Sequence, residues 1–78
     1  METANYVIES TTLVRDTDSG HAHVFIVRNV QDYCVYAVIS STTFKTHIRT
    51  YGIYKYDQEA YDGYDRFIKS LLGSGFTK

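Results

Sequence analysis

The chain has no proline, no tryptophan, one cysteine and one methionine in 78 residues. With only Cys34, an intrachain disulfide is excluded, so a domain this small rests on its core, supplemented where needed by a metal or self-association. No proline and a hydrophobic content of 44% exclude the composition of a disordered chain. No apolar run approaches the roughly 20 residues that span a bilayer. Met1–Asn5 carries no basic segment leading into an apolar run, so no secretory signal is expected. An excess of positive charge is also missing. Eight Lys and Arg stand against nine Asp and Glu, a net charge of −1, and the cations are scattered. That argues against binding nucleic acid chiefly through phosphates. Cys34 lies in apolar company in Tyr33-Cys34-Val35-Tyr36, which reads as a buried structural thiol in a reducing compartment. The expectation is a cytoplasmic protein.

A chain of this length holds one domain, 1–78. Its first extended segment is Tyr6 to Arg15, ended by Asp16-Thr17-Asp18-Ser19-Gly20, where Asp and Ser bond their own backbone and Gly20 accepts positive φ. Ala22 to Val30 follows, with Ala22, Val24, Ile26 and Val30 on one face and His23, Phe25, Val27 and Asn29 on the other. Apolar residues on both faces predict a central strand. Asn29-Val30-Gln31-Asp32 reads as a second turn, and Tyr33 to Ser40 as the third strand. From Tyr33 to Tyr56 a single strand would outrun a small domain at ~3.3 Å per residue, so the chain must reverse. Ser40-Ser41-Thr42-Thr43 is the predicted place, leaving Phe44 to Tyr54 as a fourth strand with Gly52 as a bulge.

The helix signal begins near Asp57, read as the N-cap. Ala60, Tyr61, Tyr64, Phe67, Ile68, Leu71 and Leu72 recur at helical spacing, and Gly73 stands where a C′ glycine belongs. Acids gather toward its start, and Arg66 and Lys69 lie toward its end, in keeping with the dipole. Gly63 falls on the polar face, where a backbone or partner could approach closely. The tail from Ser74 is expected to fray, with Phe76 folding back. The fold class is α+β, a three- to four-stranded antiparallel meander packed against one C-terminal amphipathic helix.

Little in the chain points to catalysis. His21 and His23, two apart on a strand, share a face, and His47 could join them, but structural zinc sites show tighter sets of Cys and His. The Asp16–Gly20 turn lacks the ligand spacing of a calcium loop. Cys34, mid-strand among apolar residues, is a poor nucleophile. No metal, cofactor or enzymatic activity is expected. Tyrosine is the unusual feature. There are eight, five of them between Tyr51 and Tyr64, interleaved with acids. Tyrosine gives contact area at low entropic cost plus a hydroxyl, and carboxylates accept arginine bidentately. Tyr51, Tyr54, Tyr56, Asp57, Glu59, Asp62 and Asp65 are therefore the expected partner-binding residues, facing a basic protein. Against this, each tyrosine taken singly suits a strand or core position. The rival reading is a small nucleic-acid-binding regulator that stacks bases on sheet aromatics. Homodimerisation through an open edge strand is a further expectation.

The run Tyr56-Asp57-Gln58-Glu59-Ala60-Tyr61, then Phe67-Ile68 and Leu71-Leu72-Gly73-Ser74-Gly75, resembles the helix entry and exit of small phage-encoded anti-CRISPR proteins. The likeness covers mainly the last third of the chain. It implies a non-enzymatic inhibitor that binds a CRISPR effector subunit in the host cytoplasm and blocks DNA binding or cleavage. The near-neutral charge departs from wholesale DNA mimicry, so any mimicry is local.

Overall fold

The computed structural model describes residues 6–43 and 45–78. The chain folds as β1 (Tyr6–Arg15), a 3₁₀ turn (Asp16–Asp18), β2 (Gly20–Arg28), β3 (Tyr33–Ser40), β4 (His47–Tyr54) and α1 (Asp57–Gly73). The four strands form one antiparallel sheet in the order β1-β2-β3-β4, the expected meander with β2 inside it. Val30, placed at the end of the second strand by its pattern, lies instead in the exposed turn after it. There the Asn29 N–H donates to the Asp32 carbonyl at 2.8 Å, and Asn29 Nδ2 donates to Asp32 Oδ1 at 2.7 Å. The fourth strand starts at His47, and Phe44, its expected start, lies outside the described residues. No helix among the described residues is long and apolar enough to cross a membrane.

α1 covers one face of the sheet. Leu13, Val24, Ile26 and Val35 from the strands meet Phe67 and Leu71 of the helix with essentially no solvent exposure. Burial of Ala60, Tyr64 and Ile68 at the same helical spacing completes the stripe. Tyr61 and Leu72, read as part of it, sit at its margin and are exposed. Tyr64 shares a hydrogen bond between its hydroxyl and Thr11 Oγ1, which fastens the helix to β1.

Three local expectations are corrected. Ser19, not Gly20, takes the left-handed conformation after the 3₁₀ turn (φ 52°). Gly20 is buried and stands where a Cβ would meet Asp18 Oδ1 at 2.8 Å, so the site needs absence of a side chain more than a special φ. At the start of the helix Tyr56 is the extended N-cap and Asp57 the first helical residue, its Oδ1 accepting the Gln58 N–H at 2.7 Å.

The exit is shifted in the same way. Gly73 is still helical, and Gly75 carries the left-handed φ of 99°. Gly75 N–H donates to the Leu72 carbonyl at 3.3 Å and Phe76 N–H to the Leu71 carbonyl at 3.2 Å. These are the paired bonds of a Schellman motif. The tail does not fray. Phe76 is buried beneath the Arg15 guanidinium, 4.4 Å from its ring centroid, and Thr77 exchanges two backbone hydrogen bonds with Val14 on the outer edge of β1.

Candidate protein-binding surface

β4 and the first turns of α1 carry the tyrosines and acids singled out in the sequence. A register shift opposite Val35 and Tyr36 makes Tyr51 the extra residue of a β-bulge, beside the expected Gly52. The bulge aims Tyr51 at the helix, and its ring stacks on Phe67 with centroids 5.0 Å apart. Three residues on, Tyr54 leans across the gap between strand and helix. A Cβ at Gly52 would stand 2.7 Å from Tyr54 Cζ and one at Gly63 2.6 Å from the same atom. Gly63 is thus buried rather than on the polar face, because it is the seat for an aromatic ring. Burial pushes the Tyr54 hydroxyl above its ordinary pKa, and the neighbouring Tyr51 adds to the shift.

Around this ring the surface forms an open concavity of about 290 Å³ lined by Tyr54, Glu59, Asp62, Gly63 and Arg66. Tyr56, 61% exposed, is the most open of the cluster's tyrosines. Asp57, Glu59 and Asp62 are all exposed. Asp65 departs from the expected grouping. It is exposed on the solvent side of the helix, outside the lining of the concavity, and its charge and that of Glu9 act on Tyr64. Of the four expected acids, only Glu59 and Asp62 line the concavity. Glu59 and Asp62 share the concavity with Arg66, Asp57 stands at the helix start, and Asp65, exposed one turn on from Asp62, does not line it. Arg66, which sequence reasoning placed only with the dipole, belongs to the concavity. Its position four residues after Asp62 was the available signal.

The other candidate groups do not converge. His21 and His23 lie on the open face of the sheet with rings 6.4 Å apart. His47 pairs with Ile39 on the helix side, where Ile39 packs against the core. The three histidines are thus on opposite sides of the sheet, and no group of metal-ligating side chains occurs among the described residues. Cys34 is half-buried on the open face, in register with Val27 and Ile53, and is not a core residue as expected. Burial, with a smaller contribution from the Asp32 charge, raises its thiol pKa, which disfavours the reactive thiolate. Comparison with protein-family models, curated proteins and solved structures finds no match.

Proposed function

We propose that the chain is a non-enzymatic binding module that docks a basic protein surface onto the β4 flank of α1. An arginine or lysine of the partner would enter the concavity beside Tyr54 and bond the carboxylates of Glu59 and Asp62, in competition with Arg66. The observation that carries this reading is the Tyr54 ring held between Gly52 and Gly63, which gives a preformed aromatic floor beside two exposed acids. With the ring seated between the two glycines, the cation is held by directed hydrogen bonds to the carboxylates, which are stronger than neutral ones. At about 290 Å³ the concavity suits one side chain better than a drug-sized ligand. Tyr56 and Tyr61 on the neighbouring surface would supply contact area around it. In a bacterial cytoplasm such a module acts as an inhibitor when its partner is an effector subunit whose basic surface normally receives DNA, which is the use that the anti-CRISPR resemblance implies.

Base stacking on the sheet is favoured by one observation, the Phe25 and Tyr36 rings 5.4 Å apart on the open face. It fits less well, because the strand arginines Arg15, Arg28 and Arg49 lie over Phe76, Tyr33 and Phe67 on the helix side, away from those rings.

The test compares wild type with Glu59→Lys/Asp62→Lys and with Asp65→Lys. Each protein is used to inhibit plasmid interference in cells carrying a CRISPR effector and to capture proteins from host lysate. The double variant is expected to lose inhibition and the captured partner with its circular dichroism unchanged, while Asp65→Lys keeps both. Equal behaviour of wild type and the double variant removes the concavity from the mechanism.

A further inference from the structure

Among the described residues nothing covers the face of the sheet turned away from α1, and that face mixes apolar side chains with Ser, Thr and His but carries no Asp, Glu, Lys or Arg from the strands. Cross-strand register places Val7, Val27, Cys34 and Ile53 in one row of that face. Ser10, Phe25, Tyr36 and Thr50 form the next row, and Thr12, His23, Val38 and Ile48 the one beyond. Ile48 and Ile53 are 67% and 65% exposed and Val7 50%. Antiparallel sheets with one wet face alternate apolar-in with polar and charged-out. Here the charges are on the wrong side for that. Glu9, Arg15, Arg28 and Arg49 are the only Asp, Glu, Lys or Arg residues in the four strands. Glu9 and Arg49 pair with buried Ile26 and Ala37, while Arg15 and Arg28 lie over Phe76 and Tyr33, so all four are on the helix side.

We infer that this face is the interface of a two-fold symmetric homodimer, in which two sheets pack face to face and the helices lie outside. Area, charge and size together select a second copy as the occupant. Four strands ~4.8 Å apart and eight residues long at ~3.3 Å each present a face on the order of 500 Å² in projection. Two copies together bury about 1,000 Å² before side-chain relief is counted, the size at which biological interfaces begin. Apart from His21 and His23, the strands give this face no side chain to pair with a charged partner, whereas its own copy matches it in charge and pleat, and a two-fold axis needs only self-complementarity. Aligned sheets pack about 10 Å apart with interleaved side chains, which the Val, Ile, Phe and Tyr rows can supply. A chain of 78 residues is also in the range where association supplements a small core. This arrangement uses the sheet face rather than the edge of β4, and it leaves the Tyr54 concavity on the outer layer of each copy, so it is independent of the function proposed above.

Sedimentation equilibrium of the full chain, from low to high micromolar concentration, tests the inference with Val38→Lys on the inner strand β3 and Ile53→Lys on β4. Wild type is expected at twice its 9.0 kDa chain mass, and each lysine to weaken association by at least about 100-fold, since it buries an unpaired charge. Far-UV circular dichroism of the variants should stay native, because Ile53 is mostly exposed in the single chain. Cys34 gives a readout without mutation. Its reaction with a water-soluble thiol reagent should slow by about tenfold or more as concentration rises and the dimer fills. A wild-type monomer throughout overturns the inference and leaves the face to a different protein. A dimer unaffected by Val38→Lys, with Cys34 reacting at one rate at all concentrations, overturns it in favour of edge pairing.

Discussion

Replacing Gly63 by alanine sets two effects of opposite sign against each other at one position. Alanine is favoured over glycine inside a helix by about 1 kcal/mol. The added Cβ, however, would lie 2.6 Å from Tyr54 Cζ, and the same ring is confined from the strand side by Gly52, whose Cβ would stand 2.7 Å away. The ring cannot retreat toward β4 and must swing out to solvent or push the helix away. Overpacking of this kind costs about 1–3 kcal/mol. The net expectation is between neutral and about 2 kcal/mol destabilising, a loss of up to about 16 °C in Tm for a domain of this length. In a Tyr54→Ala background the obstacle is gone and the identical substitution should stabilise by about 1 kcal/mol. Urea unfolding followed by far-UV circular dichroism on the four proteins of this cycle should give a coupling of about 1–3 kcal/mol between the two positions. If Gly63→Ala stabilises equally in both backgrounds, the ring is not seated on Gly63 and the preformed floor of the binding surface is lost with it.

The tail and the first turn give two further expectations. Phe76→Ala should destabilise the domain by about 3–5 kcal/mol, because it empties a buried site rather than trimming a frayed end; a loss below about 1 kcal/mol in urea titration would show that Phe76 does not belong to the core. Arg15 Nε and Nη2 grip Asp18 Oδ1 and Oδ2 at 3.0 and 2.9 Å, and the Arg15 hydrogen bonds hold the Asp18 carboxyl below the ordinary carboxylate range. Its stabilising contribution is therefore complete above the unfolded carboxylate pKa and is lost as pH falls through the lower folded value. Thermal melts across that acid window should fall more steeply for wild type than for Asp18→Asn, and the difference should shrink in high salt; parallel curves would show that the pair does not contribute.

Much of the fold was legible because it follows from local rules. Turn residues at Asp16–Gly20 and Asn29–Asp32, alternation along β2, and the Ala60, Tyr64, Phe67, Ile68, Leu71 stripe each state their structure within a few residues. The errors fell where two elements meet. Gly63 reads as a polar-face glycine on a helical wheel, and only the presence of Tyr54 from β4 makes it buried. Cys34 reads as core because apolar neighbours surround it in sequence, yet period-two alternation sends it to the face that no helix covers. The binding residues split similarly. Composition located the segment, but the rotation of α1 decided that Glu59 and Asp62 stand with Arg66 and that Asp65 does not.

The count of four strands and their order in the sheet came from the structure, while the sequence by itself determined the α+β class and a meander of three or four strands running into one helix, since spacing, turn chemistry and strand length leave a short-connected chain few ways to fold. It also determined that the chain is a single α+β unit without a disulfide. Only the tertiary structure decided which sheet face the helix takes. That choice depends on the summed burial of residues far apart in sequence, as when Leu13, Val35 and Phe67 meet, and it leaves the charge-free rows around Phe25 and Tyr36 in the open. It decided the end of the chain as well: the Schellman bonds at Leu71 and Leu72 close on Gly75 because Phe76 has a place under Arg15 and Thr77 a partner in Val14. A glycine signal read along the helix alone has no access to those long-range contacts.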